Sequence, residues 1–216
     1  MRQSKKFSFK TCARDSALSR AQVEEIAAFF PEIEFEMIWI KTTGDLDQKT
    51  SLRALDKTDF FTRELDQMLL KKEARIAIHS AKDLPDPILD GLEIVAITEG
   101  VDPRDSLVFK SLSDKAIIAT SSARREEAVK RLGGDFRFVD IRGTIEERLK
   151  KLEGEIDGVV VAEAALVRLK LTHLNRIFLQ GETAPMQGKL AVVARQKDEE
   201  MKELFEKIDA RSLSRA

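Results

Sequence analysis

Short apolar runs and longer amphipathic stretches alternate along this chain. Residues 7–11 (FSFKT) and 33–40 (IEFEMIWI) approach the every-second-position spacing of half-buried strands. Residues 16–30 between them carry helical spacing and run into Pro31, which cannot continue a helix. The polar residues 41–59 show no period and predict a loop, and 60–72 predict a helix. A short buried strand at 75–79 follows, then a Pro-rich turn and a strand at 92–97. The rhythm resumes with strands at 106–109, 116–119, 136–140 and 158–162, interleaved with helices at 122–132 and 144–153. A strand at 190–194 and a helix starting near Asp198 close the pattern. Such alternation predicts an α/β protein with mixed, mostly parallel sheets covered by helices. In sheets of that kind ligands bind at the carboxyl ends of strands.

Gly and Pro cluster between periodic segments at 98–104 (TEGVDPR) and 181–188 (GETAPMQG). Read as crossings, these two places define two domains. One is discontinuous, 1–98 plus 189–216, and the other is inserted, 99–188. Strand 190–194 then returns to the first sheet, and a ligand cleft between the domains is expected.

Composition narrows the ligand. The 216 residues are 43% apolar, with 37 basic against 38 acidic side chains, so no global field recruits nucleic acid. Tyrosine is absent and Trp39 is the one tryptophan, so no aromatic platform for bases is expected. Cys12 is the only cysteine, which excludes an intrachain disulfide and a cysteine-built metal site. His79 and His173 lack metal-ligand spacing, and no metal is expected. The start, MRQSKKFSFK, carries charge but no apolar signal-peptide core, and no window reaches the length of a membrane span. A cytoplasmic protein with no membrane partner is the expectation.

The motifs fall at strand ends. In TSSARREEAVKRL (120–132), Ser122 is a candidate N-cap, which puts Arg124 and Arg125 in the first helical turn. Hydroxyls, free N–H groups and two guanidinium forks would converge there on an anion. The alternative is that Glu126 and Glu127 neutralise the pair on a solvated face. In IRGTIEERLKKL (141–152), Thr144 and Glu147 fit a capping box, with Arg142 just outside the helix and Arg148 about a turn further on. The alternative there is a surface helix of internal ion pairs. HSAKDLP (79–85) sets Ser80, Lys82 and Asp83 at the end of a buried strand. A carboxylate beside a cation can hold a developing positive charge or shuttle a proton. Alternatively, Ser80 caps a short helix and Asp83 reaches back to it. His79 reads as a packed strand-end residue. CARDS (12–16) contributes Arg14, facing the cleft or pairing with Asp15, and ETAPMQG contributes the neutral amide of Gln187. Arginines 14, 124, 125, 142 and 148 around Asp83 call for a small molecule with several carboxylates or phosphates. No phosphate-cradling G-x-x-x-x-G-K-[ST] or G-x-G-x-x-G motif is present, so a nucleotide is not indicated.

In this order, HSAKDLP, VDPRD, TSSARR, IRGTIEERLKKL with EIDGVVVAEAALVRL, and APMQGKLAVVAR resemble blocks of the hydroxymethylbilane synthase family, also called porphobilinogen deaminases. HSAKDLP is similar to that family's HSxKDxP. The resemblance covers almost the whole chain. It implies a fold like the type II periplasmic binding proteins and an enzyme, a transferase of haem biosynthesis. That enzyme condenses four porphobilinogens, each bearing acetate and propionate, into a linear tetrapyrrole. It implies a dipyrromethane cofactor and a monomer. Asp83 would be the catalytic carboxylate, assisting loss of ammonia and stabilising cationic pyrroles. Arg14, Ser16, Lys82, Thr120, Ser122, Arg124, Arg125, Arg142, Arg148 and Gln187 match cofactor- or substrate-contacting positions.

The departures are specific. Family members carry a third, C-terminal domain whose cysteine holds the dipyrromethane as a thioether, and that domain is expected to be absent here. Cys12, the only thiol and two residues before Arg14, is a candidate replacement anchor. The alternative makes it a small buried core residue. Thr58 stands at a usual lysine position, with Lys57 and Arg63 near. Thr144 replaces an asparagine, Ala123 a leucine and Asp15 a glutamine. A catalytically inactive homologue that binds pyrroles or other polycarboxylates is the competing function.

Overall fold

The computed structural model describes residues 6–47, 50, 51, 53 and 59–213; Lys57 and Thr58 lie outside them. The chain forms two compact units. The first comprises Met1–Leu46, Lys57–Glu99 and Lys189–Ala216, the second Asp47–Asp56 and Gly100–Gly188. The strands are β1 (Phe7–Arg14), β2 (Ile33–Ile40), β3 (Ile76–Ser80), β4 (Leu92–Ile97), β5 (Asp105–Phe109), β6 (Ile117–Ala119), β7 (Arg137–Val139), β8 (Gly158–Ala162), β9 (Arg176–Phe178) and β10 (Leu190–Arg195). The helices are α1 (Ala17–Ala27), α2 (Thr43–Leu46), α3 (Arg63–Leu70), α4 (Ala123–Lys130), α5 (Ile145–Lys150), α6 (Glu163–Arg168), α7 (Glu199–Glu206) and α8 (Ala210–Leu213).

The first unit holds a sheet of order β2-β1-β3-β10-β4. β1 is parallel to β2 and β3, whereas β10 is antiparallel to β3 and β4. The second holds β7-β6-β8-β5-β9, with β6 parallel to β7 and β8, and β5 antiparallel to β8 and β9.

Both faces of the first sheet are covered, so its inner strands are continuous apolar runs rather than alternating ones. Phe9, Ile26, Phe30, Ile76, Val192 and Phe205 form the core on one face, and Cys12, Leu65, Leu69, Ala77 and Val193 that on the other. Ser16 caps α1, its hydroxyl accepting from the Ser19 N–H at 3.1 Å. β1 extends past the expected residue 11 to Arg14 because Cys12–Arg14 pair with Ile38–Ile40, which carries Arg14 to the strand end.

Several elements, the additional α8 among them, differ from the sequence expectation. The expected loop 41–59 contains α2, stabilised where the Asp45 carboxylate accepts from the Thr42 N–H (3.0 Å) and hydroxyl (2.8 Å). α6 and β9 are additional. Segment Asp47–Asp56 groups with the second unit rather than with 1–98. Arg142 donates to the Asp47 carbonyl at 2.8 Å, and Arg53 to the Thr120 carbonyl and the Asp140 carboxylate at 2.9 Å each. At the crossing, Gly188 has φ +88° and lies so near Val101 that a Cβ would sit 2.3 Å from its carbonyl oxygen. Only glycine fits there.

Asp66 on α3 is 5% exposed. Burial pushes its carboxyl up to about 6, and the charges of Asp59 and Glu64 add to this. An acid raised on folding contributes fully below its unfolded pKa, about 3.9, and that contribution is lost as pH rises through the folded value. Above pH 6 the charged Asp66 therefore costs stability, up to roughly 3 kcal/mol. Asp66→Asn is expected to raise the melting temperature at pH 7.5 and to leave it unchanged near pH 4. An unchanged or lower value at pH 7.5 would contradict this.

Candidate functional site

In the first unit, parallel pairing of β1 with β3 in the register Cys12↔Ala77 brings Arg14 and Ser80 to the same sheet edge. β3 ends in a helical turn, Ala81–Asp83. Ser80 does not cap this turn; its hydroxyl accepts from Gln22 Nε2 on α1 at 2.8 Å. Asp83 does not reach back either. Among the described residues the half-buried Asp83 carboxylate has no hydrogen bond or ion pair. Lys82 is half-buried beside it. His79 is buried, as expected of a packed strand-end residue; burial, and then the Arg14 charge, bring its pKa down to about 4, so the imidazole is neutral.

Arg14 does not pair with Asp15, which instead binds Arg20 at 2.7 Å. Arg14 pairs with Asp45 on α2 and lies over the Phe61 ring, 4.4 Å from its centroid. Burial pushes the Asp45 carboxyl up, but Arg14 and Thr42 more than offset this and hold it below the usual range. Asp45 therefore takes up much of the Arg14 charge.

Cys12 corrects an expectation. It shares a strand face with Arg14, yet it is 0% exposed and lies in the core beside Leu65 and Leu69. Burial, with the nearby Asp66 charge, raises the thiol to about 12. A thioether to an outside ligand needs an accessible thiolate, and Cys12 offers none. A thiol reagent at pH 8 is expected to leave the native protein unmodified and to label Cys12 only after unfolding. Stoichiometric labelling of the folded chain would contradict this.

In the second unit, β6 and β7 are parallel neighbours and deliver the two arginine turns to one edge. The turns are stitched together: Thr120 N–H donates to the Val139 carbonyl at 2.9 Å, and the Ser121 hydroxyl to the Ile141 carbonyl at 2.7 Å. Ser122 is the N-cap of α4 by backbone position, but its hydroxyl makes no capping bond. The buried Thr120 hydroxyl accepts from the Ser122 N–H at 3.3 Å. The expected capping box of α5 is present, with Thr144 N–H to Glu147 at 2.7 Å and Glu147 N–H to the Thr144 hydroxyl at 3.3 Å. Gly143, at φ +101°, makes room for that Glu147 carboxylate. Arg148 Nε donates to the Gly143 carbonyl at 2.8 Å, so it backs the turn that aims Arg142.

Glu126 and Glu127 do not neutralise the arginine pair; Glu126 binds Arg53, and Glu127 binds Lys130 at 2.6 Å. The partner of Arg124 and Arg125 is Asp105, at the start of β5 and 2% exposed. Sequence reading did not single out Asp105, although an acid opening a buried strand must be paired. Its Oδ2 accepts from Arg124 Nη1 at 2.6 Å, and its Oδ1 from Arg125 Nη2 at 2.7 Å and Nε at 3.0 Å. Burial pushes this carboxyl up, but the two guanidinium groups prevail and hold it below the usual range. Gln187 also differs from expectation. It is buried, and its Nε2 donates to the Pro103 carbonyl (2.6 Å) and to Asp105 (3.0 Å), so its amide donors brace the fold instead of reaching a ligand.

Among the described residues no group of three or more metal-ligating side chains occurs, and no helix is long and apolar enough to cross a membrane.

Residues 9–203 match the family model described as porphobilinogen deaminase, dipyromethane cofactor binding domain. A porphobilinogen deaminase from Caldicellulosiruptor saccharolyticus is 44% identical over 209 residues, 91% of this chain and 72% of that protein. One from Fusobacterium nucleatum is 38% identical over 218 residues, 94% of this chain and 73% of that protein. The fold, of the type II periplasmic-binding-protein kind, is similar to that of an ABC transporter protein from Parabacteroides distasonis. The TM-score is 0.53 at 14% identity, over 98% of this chain and 74% of that one. A model match from the first strand to the last long helix, joined to relatives of this identity, fixes the lineage: this chain belongs to the porphobilinogen deaminase family.

Proposed function

We propose that this chain is a hydroxymethylbilane synthase, a transferase that joins four porphobilinogens head to tail with release of ammonia. One observation carries the enzymatic reading over mere binding. The acids beside the strand-end arginines, Asp45 and Asp105, are neutralised by them, whereas Asp83 is unpartnered among the described residues. A carboxylate kept out of ion pairs at an anion-binding strand edge has no use in holding anions. It has a use where positive charge develops.

In the proposed reaction the C–N bond of the aminomethyl group breaks, ammonia leaves with the electron pair, and the pyrrole becomes a cation. Asp83 stabilises that cation. A carbon–carbon bond then forms to the terminal pyrrole of the growing chain, and Asp83 receives the ring proton it displaces. Lys82, Arg14 and Ser16 in the first unit, and Ser122, Arg124, Arg142 and Arg148 in the second, are assigned to the acetate and propionate groups, while the buried Thr120 supports the turn that carries Ser122. Arg125 and Gln187 are assigned to bracing them. A dipyrromethane, when bound, supplies the pyrrole carbon to which the first unit is joined. Its carboxylates suit the uncapped Ser122 hydroxyl and the arginines at the α4 start. Thioether attachment within these 216 residues does not suit the structure, because their one cysteine is enclosed. By the same family reading the chain is a cytoplasmic monomer acting on a small molecule, and its balanced charge gives no global field to recruit nucleic acid.

The test is steady-state consumption of porphobilinogen by the purified chain, with ammonia and linear tetrapyrrole measured together. The expected result is one ammonia per porphobilinogen consumed. Saturable binding with no ammonia would favour the inactive pyrrole-binding homologue.

A further inference from the structure

The two neighbouring arginines at the start of α4 are engaged very differently. Arg125, with a side chain 13% exposed, spends Nε and Nη2 on Asp105 Oδ1 and Nη1 on the Val160 carbonyl (3.4 Å). Arg124, 30% exposed, uses only Nη1, which donates to Asp105 Oδ2 (2.6 Å) and to the Glu182 carbonyl (2.7 Å). Its Nε–Nη2 edge has no partner among the described residues. That edge is the one that binds a carboxylate through two parallel hydrogen bonds. Asp105 thus assigns one oxygen to each arginine, and the Gln187 amide also donates to Oδ1 at 3.0 Å.

We propose that Asp105 is a positioning residue. It locks Arg125 inside the fold and, through Nη1, turns the open edge of Arg124 outward to receive a ligand carboxylate. This rests on the reading of the α4 start as a carboxylate site. Two like charges side by side would otherwise splay apart. A single buried acid shared between them holds both and still leaves one positive charge in excess for the ligand.

The test is a double-mutant cycle between Asp105→Asn and Arg124→Ala, read as dissociation constants and as melting temperature. An asparagine keeps an acceptor for Arg125 but sets an NH2 donor against Arg124 Nη1, so it unseats Arg124 first. Two probes are titrated well below the melting temperature: glutarate, a plain dicarboxylate, and porphobilinogen. Each single change is expected to weaken glutarate binding roughly ten- to hundredfold, as for a lost charge-assisted hydrogen bond. In the Arg124→Ala background, Asp105→Asn is expected to change affinity less than about twofold, because its effect runs through Arg124. Its effect on melting temperature should persist in both backgrounds. Equal weakening by Asp105→Asn with and without Arg124 would overturn the proposal. So would undiminished binding by the single Asp105→Asn protein, or a wild type that binds neither probe. If Asp105→Asn does not fold, Asp105→Glu serves in the same cycle, since the extra methylene displaces Arg124 while keeping the charge. A wild type that binds glutarate but neither binds nor consumes porphobilinogen would refute the synthase reading and leave the cycle interpretable.

Discussion

Replacing Asp83 with asparagine is expected to lower porphobilinogen turnover by about 10²–10³-fold, the cost of losing one electrostatic contact to a developing charge. The fold should be unaffected, because the Asp83 side chain has no bond among the described residues that folding would lose. Asparagine keeps the size and removes the charge, so substrate binding should change much less than kcat. The comparison needs initial rates and melting curves on the same preparations. A variant with near-normal turnover would remove Asp83 from the mechanism. One with lost turnover and a collapsed melting temperature would make it a structural residue.

The second large effect separates the arginines. Arg125→Ala is expected to destabilise the second unit by about 3 kcal/mol, the low end for breaking a buried ion pair, since Asp105 keeps Arg124 as a partner. For a chain of this size that is a fall of roughly 6–12 °C in melting temperature. Arg124→Ala should cost less than about 1 kcal/mol, because that side chain is partly solvated and one nitrogen carries its contacts. Ligand binding should show the reverse order per degree of stability lost. The Asp105 carboxyl is lower in the fold than in the unfolded chain, so its stabilisation holds above the unfolded value and is lost as pH falls through the folded one. The gap between the two variants should therefore narrow in acid. Equal losses of stability would place both arginines in one role.

Much of this was legible in the sequence where a local rule decides the structure. The Thr144–Glu147 capping box, the Ser16 cap and the β6–turn–α4 unit need only neighbours in sequence, and all are present. The family followed from ordered blocks rather than from any single motif. What stayed illegible needed partners far apart in the chain. Arg14 could not be matched to Asp45, nor Arg124 and Arg125 to Asp105, because these pairs form only once the sheets do. The nearest acids, Asp15, Glu126 and Glu127, were the plausible partners by sequence and are bound elsewhere. Cys12 and Gln187 stand within candidate motifs, but strand alternation does not tell a buried face from an open one when both faces are covered. α2 was hidden because its turn is stabilised by the Asp45 side chain and not by apolar spacing.

The central claim is that this chain builds an oligopyrrole by deaminating condensation, steered by Asp83. Native mass spectrometry after addition of limiting porphobilinogen tests it most directly. The account predicts a ladder of bound species spaced by porphobilinogen less ammonia, and no ladder with Asp83→Asn. Additions of whole porphobilinogen, with its nitrogen retained, would show binding without chemistry and would contradict the account.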